Sequence, residues 1–578
     1  MIKRKRAATV IILLLLITCS IITRFYPGNA KDELVFILGS LNKLELNPLT
    51  GFQYFLYRSV LYTTLYAFNE TYGVKPWLAE SANRINSTTW EIKIRDNAYW
   101  HDGQPITSDD FKFTWDLALR YPCGLTRFLQ GIKSIEIVNN KVFRVHLQYP
   151  MGGYTPFLSG LTTAVPKHVW EPLGLTNESA LAYENLPPIG NGPFKFVDFK
   201  PDEFLVVEAF DKFFAGRPKI DRLIIRQFAS AESMLAALKA REIDAVDIVP
   251  AATIPDLTRV SGLIVHTSLT PGYISLYINQ YPQPKNGHPA LDDLTVRKVI
   301  AMCIDKDTIN SLVHPTYGKT YGAPIPPIWP EFNPELENIQ YVYNITAASE
   351  LLDSAGYIDT DGDGIREDPV SGRPLKFRLY VYLGFPDEIR AAGFMRDGFR
   401  AAGMDLEIQG MEGGALWSLI VSPPYDWDLV IWDWGVHDAI SCWYPYTSDA
   451  IPAGWSSSGY HNPEFDQLYR LLLNASDYDE FLAVQYELQK HFVENVVEIP
   501  LYLKAYTGAW WSDWINIVTE PGHLTWEGHC AEALLYATKI GVPHAPEEWP
   551  WKWPLIGIAT ISVIITISTI IWARRKKK

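Results

Sequence analysis

Acidic and aromatic side chains lie close together between positions 425 and 438 of this 578-residue chain. Asp433 stands between Trp432 and Trp434, and Asp438 follows a few residues later. A carboxylate in a partly dry site favours an ammonium group, because a buried charge without a partner is strongly unfavourable. Aromatic rings can stack on sugar rings or form apolar walls around peptide side chains. These residue types could therefore bind an ammonium group, a sugar ring or an apolar side chain.

Further aromatic residues near this stretch could extend such a wall. The candidate aromatic residues are Trp417, Trp432, Trp434, Trp443, Tyr444, Trp455 and Tyr502. Large aromatic side chains also fill protein cores. A core position is an equal alternative for each tryptophan, and it is slightly favoured for Trp417 and Tyr502.

A separate acidic loop has the spacing of a calcium-binding loop. Asp359, Asp361 and Asp363 follow the D-x-D-x-D-G pattern of oxygen ligands. The twelfth position holds Val370 instead of the usual glutamate, and Asp368 is the candidate substitute. An acidic surface turn explains the same residues equally well. We expect no cofactor other than this possible structural calcium ion.

Catalytic motifs are missing from the sequence. It contains no HExxH and no GxSxG, and GWSSSG at 454–459 misses the second pattern. Gly318-Lys319-Thr320 imitates the end of a P-loop, but Val313 stands where the first glycine belongs. Spacing alone leaves a glycosidase-type carboxylate pair open. We therefore expect a protein that is not an enzyme, with a cell-surface hydrolase as the less favoured alternative.

The elements that would position these residues alternate between strands and helices. Short strand patterns and amphipathic helices alternate from 194 to 409, which is typical of α/β lobes. Residues 67 to 185 have their own strands, a helix that starts at Thr107 or Ser108, and a hairpin around 139–141. They therefore predict a smaller mixed unit inside the chain.

Both ends of the chain have membrane-related patterns. Residues 555 to 573 are an uncharged, mostly apolar run about as long as a bilayer core is thick, and five cations follow at 574–578. Cations flanking a span favour the cytoplasmic side. Residues 1 to 30 have the regions of a signal peptide, or remain as an N-terminal anchor. We expect the middle of the chain on the outer face of the cell membrane, tethered by a single C-terminal transmembrane helix.

The charge of the middle part excludes one class of partner. Ten of the 51 basic residues lie at 3–6, 24 and 574–578, and all 65 acidic residues lie between the two ends, so residues 31 to 573 carry about −24. Nucleic acids are therefore not expected as partners.

Cysteine usage permits disulfides but does not choose a pairing. Apart from Cys19, the cysteines are Cys123, Cys303, Cys442 and Cys530, and none forms a CxxC pair. An even number outside the cell permits one or two disulfides.

Several segments resemble the extracellular solute-binding proteins of the peptide, dipeptide and nickel group, which serve ABC importers. WHDGQPITSDDF at 100–111 is similar to the family pattern FHDGxPxTAxDV, and VRKVIAMCID at 296–305 is similar to vRqAlaya-iD. The other similar segments, in the same order as in the family, are 76–81, 190–194, 238–244, 348–357 and 460–466. The resemblance covers roughly residues 32 to 540.

The resemblance implies a type II periplasmic-binding-protein-like α/β fold with two lobes and an inserted domain. Carried over, its parts are lobe I at 31–66, 186–272 and 501–540, the inserted domain at 67–185, lobe II at 273–500, and a linker at 541–554. Lobe closure on a ligand would turn about the crossings near 272 and 500.

The resemblance also implies a function and a role for two acidic residues. Members that bind peptides use a carboxylate of the second lobe for the terminal ammonium, and Asp438 is the first candidate here, with Asp433 second. The expected function is oligopeptide capture for an ABC permease, by a protein that is expected to be a monomer. Capture of an oligosaccharide is the alternative.

Overall fold

The computed structural model of the chain describes residues 33–41, 43–49, 59–68, 74–121, 123, 125–129, 131–153, 162–313, 318–320, 322–435, 438–517 and 534–540. Residues 36 to 540 belong to one compact unit, and residues 1–35 and 541–578 are grouped as a second unit. Within the described ranges, no helix is both long and apolar enough to cross a bilayer. The predicted signal peptide at 1–30, the linker, the predicted span at 555–573 and its basic tail lie outside those ranges.

Short strands are spread along the chain, and two long ones stand out. The strands are β1 (Val35–Ser40), β2 (Tyr66–Phe68), β3 (Val74–Pro76), β4 (Ala79–Asn86), β5 (Thr89–Ile94), β6 (Ile132–Asn139), β7 (Val142–Leu147), β8 (Phe194–Lys200), β9 (Phe204–Ala209), β10 (Arg222–Gln227), β11 (Ala245–Val246), β12 (Leu263–Ile278), β13 (Lys376–Tyr382), β14 (Asp405–Met411), β15 (Leu429–Gly435), β16 (Glu498–Trp511), β17 (Trp514–Ile515) and β18 (Thr538–Lys539).

Helices fill the connections between these strands. They are α1 (Ser108–Arg120), α2 (Lys167–Trp170), α3 (Asn177–Ala182), α4 (Ala231–Lys239), α5 (Ile254–Leu257), α6 (Leu294–Met302), α7 (Lys306–Leu312), α8 (Leu336–Ile339), α9 (Ile345–Ser354), α10 (Pro386–Ala401), α11 (Gly413–Val421), α12 (Pro463–Asn474) and α13 (Tyr478–Glu494). The predicted α/β alternation between 194 and 409 is thus confirmed.

The largest sheet has the strand order β14-β13-β15-β12-β16-β11-β1-β10-β9-β8. The long strands β12 and β16 lie at its centre and pair antiparallel from Leu263 opposite Trp511 to Tyr277 opposite Glu498. Their register shifts between Leu269 and Tyr273, where the ladder bulges. The predicted lobe crossings near 272 and 500 both fall inside these two strands, so the lobe boundaries stay predictions.

Side chains alternate between the two faces of β12, as the pleat of a strand requires. Ile274, Leu276 and Ile278 are buried in a core with α6, α9 and α10. The opposite face carries Tyr273 and Tyr277, which are buried in two other clusters. Apolar cores therefore cover this strand on both faces, as is usual for a central strand of an α/β sheet.

A small four-stranded antiparallel sheet, ordered β4-β5-β7-β6, lies within the predicted inserted domain. The predicted hairpin is present, with Asn139 opposite Val142. The predicted helix start is also confirmed, because Thr107 and Asp110 form a capping box at the beginning of α1. Asp110 accepts further hydrogen bonds from the indole of Trp100 at 3.3 Å and the backbone N–H of Lys167 at 2.8 Å.

Three of the four cysteines for which the sequence permitted disulfides are free thiols. Cys303 and Cys442 are buried, and Cys123 is half-buried. Cys530 lies outside the described residues. The sequence therefore permitted pairings among Cys123, Cys303 and Cys442 that the structure does not form.

Candidate functional site

The carboxyl ends of three parallel strands lie side by side and form one edge of the large sheet. β13 pairs in parallel with β14 on one side and with β15 on the other. The strands end at Tyr382, Met411 and Gly435, and α10 and α11 begin shortly after the first two. Ligands of open α/β sheets bind in the crevice outside the carboxyl ends of the strands. The candidate residues of β15 therefore lie where the topology favours a site.

Trp432 and Asp433 are neighbours in β15 and lie on opposite faces of the sheet. Trp432 packs at the margin of the cluster that contains Val430, the residue two positions before it. Asp433 lies on the same face as Ile431, two positions before it, and Ile431 is buried in the core on the other side of the sheet. Both are half-buried, so both faces contribute groups to this edge of the sheet.

An aromatic group surrounds Trp432. Its ring centroid lies 6.2 Å from that of Trp417 on α11 and 6.0 Å from that of Tyr382 at the end of β13. All three rings are partly exposed and lie against the same buried cluster. The structure thus brings two predicted aromatic residues together, and it adds Tyr382. This arrangement offers a partly exposed apolar surface at the strand ends.

Asp433 forms an ion pair with Lys504 of β16. The distance from Lys504 Nζ to Asp433 Oδ2 is 2.6 Å, and the side chains are 18% and 29% exposed. The ammonium group also lies 5.6 Å from the ring centroid of Tyr506. The site therefore holds one negative and one positive group side by side, both within reach of solvent.

Glu388 in the first turn of α10 is a third ionisable group near this pair. Burial raises its pKa to about 7, and Lys504 acts in the opposite direction. Its Oε1 lies 3.4 Å from the hydroxyl of Tyr502, which is fully buried in the core. Tyr502 therefore contacts the site from the buried core, through Glu388. Its buried ring does not form part of the exposed aromatic surface.

Asp438 caps the turn that follows it. Its Oδ1 accepts hydrogen bonds from the backbone N–H groups of Ile440 at 2.9 Å and Ser441 at 2.6 Å, and the Ser441 hydroxyl donates to its Oδ2. The residue is fully buried. Residues 436 and 437, which join it to β15, lie outside the described ranges. A ligand contact by Asp438 stays a prediction, and the geometry gives its carboxylate a structural role.

The remaining predicted aromatic residues are not gathered at this edge. Trp443 is fully buried among helices and donates its indole N–H to Gln485 at 2.8 Å. Trp455 is 55% exposed on a turn, and Tyr444 is half-buried, with a pKa that burial raises. Trp434 lies in β15, but its side chain is outside what the structure describes.

The acidic loop gathers four carboxylates, with one change from the predicted set. Oxygens of Asp359, Asp361, Asp363 and Glu367 lie within 4.8 Å of one another on the surface. Asp368 is buried instead, and it accepts hydrogen bonds from Val370 N–H at 3.0 Å and from the hydroxyl of Ser371. The gathered set thus contains Glu367 and not the predicted Asp368, whose role as a metal ligand stays a prediction. All-oxygen donors suit calcium, which stays a prediction.

Comparison with known proteins assigns the chain to a family. The family described as bacterial extracellular solute-binding proteins, family 5 Middle, matches residues 73–453. The oligopeptide-binding protein AppA of Bacillus subtilis is 26% identical over 440 residues, which cover 76% of this chain and 79% of that protein.

Solved structures share the fold at low sequence identity. AppA of Bacillus subtilis in complex with a nonapeptide has a TM-score of 0.71 at 24% identity, covering 88% of this chain and 100% of that one. A mannohexaose-bound periplasmic oligopeptide-binding protein of Thermotoga maritima has a TM-score of 0.71 at 20% identity, covering 89% of this chain and 100% of that one. The fold is therefore the mixed α/β fold of type II periplasmic binding proteins. The chain belongs to the bacterial extracellular solute-binding proteins of family 5, which bind their substrates and are not enzymes.

Proposed function

We propose that this protein captures oligopeptides on the outer face of the cell membrane and delivers them to an ABC permease. The observation that carries this proposal is the match to the oligopeptide-binding protein AppA over about three quarters of both chains. The predicted C-terminal span at 555–573 would hold the protein at the membrane. The family supports the role of solute binding, and the peptide ligand and the anchor are our proposals.

Asp433 is the residue that we propose for the peptide ammonium, in preference to Asp438. Its carboxylate is partly exposed, whereas that of Asp438 is buried and engaged by its own turn. Lys504 can receive a peptide carboxylate or carbonyl oxygen once the ligand ammonium replaces it at Asp433. Such an exchange keeps the Asp433 carboxylate paired with a cation and leaves the Lys504 ammonium with a hydrogen-bond acceptor, which a partly dry site requires.

An oligosaccharide is the second candidate ligand. Trp417, Trp432 and Tyr382 present rings at the edge of the sheet, and stacking on aromatic rings is a common way to bind sugars. The Thermotoga maritima structure named above carries mannohexaose. Mass spectrometry of the small molecules that co-purify with the protein distinguishes these alternatives. Peptide masses support the proposal, and hexose oligomers in their place would overturn it.

Closure of the two predicted lobes would complete capture. β12 and β16 carry the chain across the predicted crossings near 272 and 500. Small conformational changes near the bulge between these strands could therefore rotate one lobe relative to the other. We propose a monomer that needs no cofactor for capture.

The membrane anchor has its own test. A chain that ends at Ile540 should appear in the medium, whereas the full chain should sediment with membranes and dissolve only in detergent. A full-length protein found free in the medium would refute the anchor and leave solute binding untouched.

A further inference from the structure

Met151, Gly152 and Gly153 dock onto the connection between α12 and α13. The side chain of Met151 is 1% exposed and belongs to the same buried cluster as Ala475 and Phe481. The backbone N–H of Gly152 donates a hydrogen bond to the carbonyl oxygen of Ala475 at 2.7 Å. This segment follows β7 of the small sheet, so the small sheet is tied directly to the helices α12 and α13.

The backbone of this segment is strained where it makes contact. Met151 has φ of 52°, a left-handed conformation that residues with a side chain rarely adopt. Gly152 has φ of 59°, and a Cβ atom there would lie 2.3 Å from Phe481 Cβ and 2.6 Å from the carbonyl oxygen of Asp477. Only glycine fits at position 152, because the two parts approach too closely for any side chain.

Arg84 of β4 makes a second connection at the same place. Its Nη2 donates to the carbonyl oxygen of Ser476 at 3.0 Å and to that of Ser87 at 3.2 Å. A Cβ atom on Gly153 would lie 3.0 Å from Arg84 Nη1, so the guanidinium also packs against the docked segment. A strand of the small sheet, β4, and the segment that follows β7 therefore reach the same helix connection.

The position of this contact in the topology suggests its use. The small sheet belongs to the predicted inserted domain, α12 and α13 belong to predicted lobe II, and the chain passes between the lobes through β12 and β16. A contact that joins the two parts away from those strands would separate if the parts rotated about them. Buried apolar packing that is released on rotation biases the equilibrium between closed and open states.

We propose that Met151–Gly153, together with Arg84, is a latch that holds the protein closed and thereby sets its ligand affinity. The inference rests on the proposed function, since closure matters only for a protein that captures a ligand. Weakening the latch lowers the fraction of closed protein, and the apparent affinity falls by the same factor.

Gly152→Ala in the full-length protein in detergent tests the latch. Gly174→Ala is the matched control, because Gly174 has φ of 57° and a Cβ atom there meets nothing within 4 Å. Azide-bearing amino acids replace the exposed residues Val138 and Leu471 and carry spin labels, because the free thiols of the chain prevent specific labelling at cysteine. Pulsed electron spin resonance then measures the distance between the small sheet and α12. Without ligand, Gly152→Ala should lower the ratio of short to long distances at least tenfold, and Gly174→Ala should leave it unchanged.

A second readout separates failure of the latch from failure of the proposed function. A pool of random pentapeptides should bind Gly152→Ala at least fivefold more weakly than wild type. If wild type binds none of the pool, the proposed function fails and the distances still decide the latch. If Gly152→Ala does not fold, Arg84→Met replaces it and should shift the distances in the same direction by a smaller amount. Wild-type distances in the folded variant would overturn the latch.

Discussion

Lys504 of β16 and Asp433 of β15 form an ion pair across the strand that lies between them. β12 separates the two strands, and Ile274 of β12 is paired with both Asp433 and Tyr502. Neighbouring strands are about 4.8 Å apart, so the long lysine side chain spans two strand spacings to reach the carboxylate. This pair places opposite charges at the end of the parallel strands, and the first prediction depends on it.

Asp433→Asn should weaken the binding of peptides with a free N-terminus at least tenfold, or about 1.4 kcal/mol. The amide cannot pair with an ammonium group, and it leaves Lys504 without its charged partner. Calorimetry with free and N-acetylated versions of one peptide measures the effect, which should be absent for the acetylated form. Asp256→Asn, at an exposed acid on α5, is the control. Equal affinities of Asp433→Asn and wild type for the free peptide would remove Asp433 from the site.

Asp438→Asn should mainly change stability. The carboxylate accepts three hydrogen bonds from Ile440 and Ser441 while fully buried, so we expect a loss of about 1 to 3 kcal/mol in the free energy of unfolding. Chemical denaturation gives this number, and Ser441→Ala should show a smaller loss of the same kind. A variant that unfolds like wild type but no longer binds peptide would restore Asp438 as the ligand contact.

Trp432→Ala should weaken ligand binding at least tenfold, since it removes the central ring of the group formed with Trp417 and Tyr382. Trp455→Ala is the matched control, because Trp455 is 55% exposed on a turn and should contribute nothing. Calorimetry on the two variants checks this contrast. The aromatic wall would be refuted if both variants bound equally well.

Glu498→Gln should remove a pH dependence of stability. Burial raises the pKa of Glu498 to about 8. The hydroxyl groups of Ser275, Tyr446 and Ser457 lower this pKa, and among them only Tyr446 donates a well-formed hydrogen bond to the carboxylate, at 2.9 Å. An acid with a raised folded-state pKa keeps its proton in the folded state and loses it in the unfolded state. Stability therefore falls as the pH rises from about 4.5 to about 8, and it is fully present below that window.

The experiment for Glu498 is chemical denaturation at several pH values. Wild type should lose on the order of a few kcal/mol relative to Glu498→Gln across the window. Glu388, with a pKa of about 7, titrates in the same direction and is present in both proteins, so the difference isolates Glu498. Parallel curves for the two proteins would show that Glu498 does not carry this dependence.

Local signals in the sequence predicted the start of α1 and the hairpin correctly. Thr107 and Asp110 cap the helix within one turn, so their effect is encoded in a few neighbouring residues. The hairpin at Asn139 is equally local. Their positions could be predicted without knowledge of the rest of the fold.

The pair between Asp433 and Lys504 could not be predicted in this way. It depends on the register of β12 between β15 and β16, which is set by pairing between strands that lie far apart in the sequence. Nor does composition distinguish the buried Trp443 from the exposed Trp455, because that difference is set by packing against distant helices.

Isothermal titration of the detergent-solubilised full-length protein tests the central claim most directly. Oligopeptide and oligosaccharide libraries are titrated separately, and each mixture is analysed for breakdown products afterwards. The account predicts saturable binding of one oligopeptide per chain, with no turnover. Saturable binding of oligosaccharides together with no heat from any peptide would contradict it.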